Sequence, residues 1–169
     1  MRRSLLQFSF LGAALVALVN PAAGQSFVGN TTVNAAQNMS IEVATYPVGD
    51  SVVITMNGPS NVWFAYGFGG TSMSGTYCMV NDGSGNVTER KLGNHAQGTA
   101  LTSSLTSSNT SVAGGVRTTV VKRSLTGMNA NYFTFPSSGT SFSIIWAYGF
   151  GANLSTHAGR GASMLNLTL

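Results

Sequence analysis

From Phe27 onward, Gly, Ser, Thr and Asn interrupt every apolar stretch before a 3.6-residue period can establish itself, which leaves almost no room for helix. Strand signals recur instead. Ile41, Val43 and Thr45 alternate against Glu42 and Ala44 up to Pro47, and Val52, Ile54 and Met56 alternate against Val53 and Thr55 up to Asn57-Gly58-Pro59. Residues 62–68 form a more continuously apolar strand ending at Gly69-Gly70. Residues 76–80 turn through Asn81-Asp82-Gly83-Ser84-Gly85 into 86–92, and Asp82-Gly83 is a hairpin signal. The polar stretch 93–109 reads as a long loop with one short edge strand. Residues 115–125 resume the β pattern, 129–139 are irregular, and 142–150 and 162–169 are the last strands. Roughly nine or ten short strands at this spacing predict an all-β fold, an antiparallel, immunoglobulin-like β-sandwich in one domain over residues 25–169.

One pentapeptide occurs twice. Ala65-Tyr66-Gly67-Phe68-Gly69 is repeated at Ala147-Tyr148-Gly149-Phe150-Gly151, and each copy is followed by a small-residue loop with one good metal ligand, Met73 in the first and His157 in the second. The simplest expectation is that the two strands bring their trailing loops to one end of the sheet. A thioether and an imidazole would then face a shared space. Left to themselves, a lone methionine is more often a gap-filler in a core and a lone histidine a polar loop residue.

Composition narrows the partners. Arg2 and Arg3 precede an apolar run from Phe8 to Val19 and the small residues Pro21-Ala22-Ala23-Gly24, the pattern of a secretory signal peptide spanning residues 1–24. That run is short of the ~20 residues a spanning helix needs. The expectation is an exported, extracellular chain with no transmembrane segment once the leader is gone. Without Arg2 and Arg3, six basic residues face Glu42, Asp50, Asp82 and Glu89, a net of +2, scattered too thinly for a nucleic-acid footprint. Asn30, Asn38, Asn86, Asn109 and Asn153 head Asn-x-Ser/Thr sequences and are candidate glycosylation sites; Asn166 heads another inside an expected strand. Cys78 is the only cysteine, so no disulfide closes within the chain, and its ordinary role is a small buried hydrophobe on a strand.

Little catalytic chemistry remains. Hydrolysis calls for a base beside a nucleophile or paired carboxylates across a cleft, and the four acids here read as solvated side chains. No nucleophile elbow or phosphate-binding loop is present. Metal chemistry demands less of the protein, since one or two ligands can hold a cofactor. Methionine sulfur with imidazole nitrogen suits haem iron in an electron carrier, and with both axial positions filled no site is left for a substrate. Cys78, His95, His157 and a methionine also form a blue-copper donor inventory, but in cupredoxins three of the donors crowd into one late loop, whereas Cys78 has no histidine before His95 and His157 no nearby cysteine.

The succession Val62-Trp63-Phe64-Ala65-Tyr66-Gly67-Phe68, Met73-Ser74-Gly75, Val120-Val121-Lys122-Arg123-Ser124-Leu125, Ile145-Trp146-Ala147-Tyr148-Gly149-Phe150 and His157-Ala158-Gly159-Arg160-Gly161 resembles the DOMON domain family across nearly the whole mature chain. That resemblance implies an extracellular β-sandwich with a ligand pocket between loops and sheet. In the haem-binding branch, similar to the cytochrome domain of cellobiose dehydrogenase, it implies a non-covalent haem b with Met73 and His157 as axial ligands. Trp63, Tyr66, Phe68 and Tyr148 would wall the cofactor, and Arg160 and Arg123 would meet its propionates. Met79 and His95 are the competing ligands, and the lack of Cys-x-x-Cys-His argues against covalent attachment. The implied role is an electron carrier, not a catalyst, serving a separate extracellular redox partner protein or small redox molecule. Other branches lack haem, so a module binding a carbohydrate or other small ligand, or an adhesive glycoprotein, is the alternative. Expression in a secreting host should yield a protein whose first residue, read by mass spectrometry, lies at or next to Gln25.

Overall fold

The computed structural model describes residues 24–169; residues 1–23, on which the expected leader falls, lie outside the described residues. Eleven strands follow one another: β1 (Phe27–Asn34), β2 (Met39–Tyr46), β3 (Ser51–Pro59), β4 (Phe64–Phe68), β5 (Tyr77–Asn81), β6 (Val87–Gly93), β7 (Ala96–Ala100), β8 (Ser107–Ala113), β9 (Val116–Arg123), β10 (Ser141–Gly149) and β11 (His157–Asn166). Among the described residues the helical elements are two single 3₁₀ turns, Ala35–Gln37 and Pro47–Gly49. The strands pair antiparallel into a five-stranded sheet, β1-β2-β3-β9-β8, and a six-stranded sheet, β11-β10-β4-β5-β6-β7. The fold is an all-β sandwich.

Three strands depart from the sequence expectation, each for a reason of side-chain chemistry. β8 is polar and almost wholly exposed, held at the sheet edge by its ladder with β9 and carrying no apolar alternation to reveal it. β1 begins with alternating burial at Phe27 and Gly29 but continues through Asn30-Thr31-Thr32. β11 starts at His157, five residues earlier than expected, because Gly159 and Gly161 hide the strand pattern while making room for the Tyr148 and Trp146 rings beside them.

The core lies between the sheets. Ile41, Val43, Ile54, Met56 and Val121 of the first sheet face Phe64, Tyr66, Phe68, Met79, Ile144 and Leu165 of the second. Each such burial contributes on the order of 1.5–3 kcal/mol. The irregular 129–139 segment plugs one side with Tyr132, Phe133 and Phe135, whose rings meet Phe68 at 6.2 and 5.1 Å for Phe133 and Phe135. Tyr66 satisfies its hydroxyl inside by donating to the carbonyls of Ser40 (3.0 Å) and Asn57 (2.8 Å).

Two sequence expectations are corrected here. β4 and β10 are neighbours but run antiparallel, with Ala65 opposite Ala147, so the loops that follow the twin pentapeptides leave opposite ends of the sheet. Glu89 is not solvated: it is 2% exposed, and its carboxylate accepts from the Tyr77 hydroxyl and from the Ser104 N–H (2.5 Å) and hydroxyl (2.6 Å). Removing one partner of a buried, hydrogen-bonded charge strands the others. Glu89→Ala should therefore lower the free energy of unfolding by about 3 kcal/mol in urea titrations, whereas Asp50→Ala, at an exposed turn, should cost under about 1 kcal/mol.

Candidate functional site

Strand alternation divides the labour of the six-stranded sheet. Phe64, Tyr66 and Phe68 of β4 point inward, which sends Ala65 and Gly67 outward; in register beside them lie Cys78 and Val80 of β5 and Ile145 and Ala147 of β10. Mostly small residues, with Ile145 leaning over Gly67, thus form a low floor on the outer face of the sheet. Above it lies a cleft of about 860 Å³.

Its walls are loops from both ends of the sheet. The β4–β5 loop contributes residues 71–74 with Met73, and a turn closed by the Thr76 N–H on the Met73 carbonyl (2.9 Å) and the Thr76 hydroxyl on the Ser72 carbonyl (2.7 Å) holds it. Gly75 N–H donates to the Leu92 carbonyl (2.9 Å), which ties this loop to the β6–β7 turn carrying His95. The β10–β11 loop enters from the other end. It is fixed by the Trp63 N–H on the Gly151 carbonyl (2.9 Å) and the Gly83 N–H on the Ala152 carbonyl (2.7 Å). Gln97 Nε2 reaches across to the Leu154 carbonyl (2.9 Å), joining the two walls.

His157 owes its orientation to a β-bulge. Tyr148 pairs with Gly159 but Gly149 pairs with His157, leaving Ala158 as the extra residue. In a regular strand His157 and Arg160, three apart, would face opposite sides. The bulge turns both toward the outer face, and both border the cleft.

Met73, His157, Trp63 and Arg160 all line this one cleft. Other expected contributors do not. Tyr66 and Phe68 are buried in the inter-sheet core, and Tyr148 packs against that core with its ring beside Gly159, because the alternation that frees Ala65, Gly67 and Ala147 for the cleft commits these aromatics to the interior. Arg123 is 1% exposed on the inner face of the other sheet. Its guanidinium lies 5.1 Å from the Tyr77 ring centre and 4.8 Å from that of Phe135, and donates to the Ser124 carbonyl (2.9 Å) and the Phe133 carbonyl. It is out of reach of anything in the cleft. Of the competing ligands, Met79 is fully buried in the core, whereas His95 is exposed and borders the cleft. Asn30, Asn38, Asn86, Asn109 and Asn153 are all exposed.

Among the described residues, no three His, Cys, Asp or Glu side chains cluster so as to hold a metal ion by themselves. One polar atom of the cleft residues is left over: Trp63 is 3% exposed, and its Nε1 has no acceptor among the described residues.

The sandwich superimposes on the cytochrome domain of cellobiose dehydrogenase from Myriococcum thermophilum with a TM-score of 0.62, at 13% identity over 88% of this chain and 86% of that one. It also superimposes on the cytochrome b domain of pyranose dehydrogenase from Coprinopsis cinerea with a TM-score of 0.55, at 13% identity over 79% of this chain and 78% of that one. The chain has a cytochrome-domain fold. No protein-family model matches it, and no curated protein matches it in sequence. Within this cytochrome-domain fold, a low apolar floor with donors entering from two ends suits a broad planar group.

Cys78 sits in the floor of the cleft, 3% exposed, and burial pushes its thiol up to about 12 against a smaller opposing pull from Arg90. The reactive thiolate is therefore scarce at neutral pH. A disulfide reagent at pH 8 should leave folded protein unmodified over hours and titrate one thiol per chain as soon as denaturant is added.

Proposed function

We propose that the protein is an extracellular b-type haem carrier of single electrons, with Met73 and His157 as axial ligands. The observation that carries this reading is the cleft itself, where a thioether on the β4–β5 loop and an imidazole at the start of β11 enter from opposite ends of a floor of mostly small residues. A b-type haem with a thioether and an imidazole on its iron supplies one-electron exchange at a raised potential. The chain's own contribution is binding and orientation. Ala65, Gly67 and Ala147 keep the floor low enough for a flat group, Val80, Leu92 and Leu154 keep it dry, and the pinned loops hold the two donors.

Arg160, exposed on β11 at the cleft border, is placed to meet a carboxylate where the cleft opens to solvent. The small-molecule pocket alternative gains nothing specific from the site, whose Met73 thioether and two imidazoles favour a metal-centred ligand. The two solved cytochrome domains belong to dehydrogenases. By analogy the partner here is a separate extracellular dehydrogenase or a small redox molecule.

Protein produced with ample haem should show the sharp visible bands of low-spin iron, sharpening further on reduction. His157→Ala should abolish them and Met73→Ala should convert them to a high-spin or mixed form. His95→Ala should leave them in place. Colourless wild-type protein that also fails to take up added haemin would end this reading.

A further inference from the structure

Trp63 shares the outward parity of Ala65 and Gly67 but carries a large side chain. β4 begins only at Phe64, and the indole lies on the outer face of the sheet over Gly149, where a Cβ would stand 1.9 Å from Nε1. A glycine at 149 is thus required by the indole. Gly149 is paired with His157, and Ala147, two residues before it, is paired with Arg160. Trp63, His157 and Arg160 therefore share one corner of the cleft.

Buried polar groups in native proteins almost always find partners, and an indole N–H left without one is a net cost to the fold. An unspent buried donor at the wall of a cleft is best explained by an acceptor that arrives with the ligand. Arg160, opposite Ala147 and also lining the cleft, carries a guanidinium, a group suited to carboxylates.

We infer that Trp63 Nε1–H and Arg160 together form a carboxylate-receiving corner, in which the indole donates to one propionate of the bound porphyrin and sets which edge of the macrocycle lies next to His157. This rests on the haem reading above and adds a residue that fixes the orientation of the group without touching the metal. Trp63 is a positioning residue, not an axial ligand.

The experiment is a titration of the mature, haem-free full chain with haemin and, separately, with haemin dimethyl ester, for wild type and Trp63→Phe. A charge-assisted hydrogen bond lost from a desolvated site should weaken haemin binding about ten-fold or more. With the diester, which offers no carboxylate, the two proteins should differ less than about two-fold. The saturated Trp63→Phe protein should keep the wild-type visible spectrum, because its iron ligands are intact. Equal haemin affinities, or a ten-fold difference undiminished with the diester, would overturn the inference while leaving the haem reading standing. Failure of wild type to bind haemin at all would remove both.

A second measurement needs no variant at position 63. In ¹⁵N-labelled protein carrying Trp146→Phe, the remaining indole N–H resonance belongs to Trp63. Diamagnetic zinc protoporphyrin should move it downfield and slow its exchange with solvent. A resonance that neither moves nor gains protection in the saturated complex would refute the contact.

Discussion

Everything about this protein's shape follows from the two-residue alternation along β4, β5 and β10. The inward positions carry Phe64, Tyr66, Phe68, Tyr77, Met79, Phe142 and Ile144, and supply the packing against the opposite sheet. The outward positions carry Ala65, Gly67, Cys78, Val80, Ile145 and Ala147. Because the period is two, the choice is collective: a slip of one residue in any of these strands would exchange a core of aromatics for a row of small side chains. The same constraint that makes the sandwich stable also makes its outer face low.

Much of this arrangement was legible in the sequence, though with its sense reversed at some points. The strand count, the lack of helix and the separation of β5 from β6 by the Asp82-Gly83 turn follow from turn residues and alternation. The echoed pentapeptides do mark adjacent strands. Their aromatic residues drew attention as a wall for a ligand, yet the glycines and alanines between them form the floor of the cleft, because large apolar side chains gain more by burial between sheets. The mutual direction of β4 and β10 was invisible, since identical sequences can pair either way. Glu89 was expected in solvent and Arg123 at a propionate; the burial of both depends on distant partners, Ser104 and Phe133, that no local pattern announces.

Buried charge also sets how firmly the cleft is built. Arg117 of β9 is 4% exposed and donates to the carbonyls of Asp82 (2.6 Å), Gly83 (2.5 Å) and Ser60. Gly83 in turn donates its N–H to Ala152 in the loop leading to His157. Asp82 caps the same turn: burial works against its ionisation, but the Asn86 side chain and the N–H groups of Asn86, Ser84 and Gly85 outweigh it and hold the carboxyl below its usual range. A guanidinium in one sheet thus steadies a loop over the other. Such coupling explains how a fold with so few charged residues keeps the loop between β10 and β11 in place.

The bulge at Ala158 makes the character of the cleft depend on backbone register as much as on residue identity. If the same residues paired without the bulge, Ala158 would take the place opposite Gly149 and the imidazole would swing to the other face, with every named side chain still present; loss of Ala158 altogether would keep His157 opposite Gly149, now two residues from Arg160. A lineage carrying this sandwich could thus hold the histidine in the cleft at either spacing, and alignments that demand one fixed distance between histidine and arginine would misjudge which members retain it.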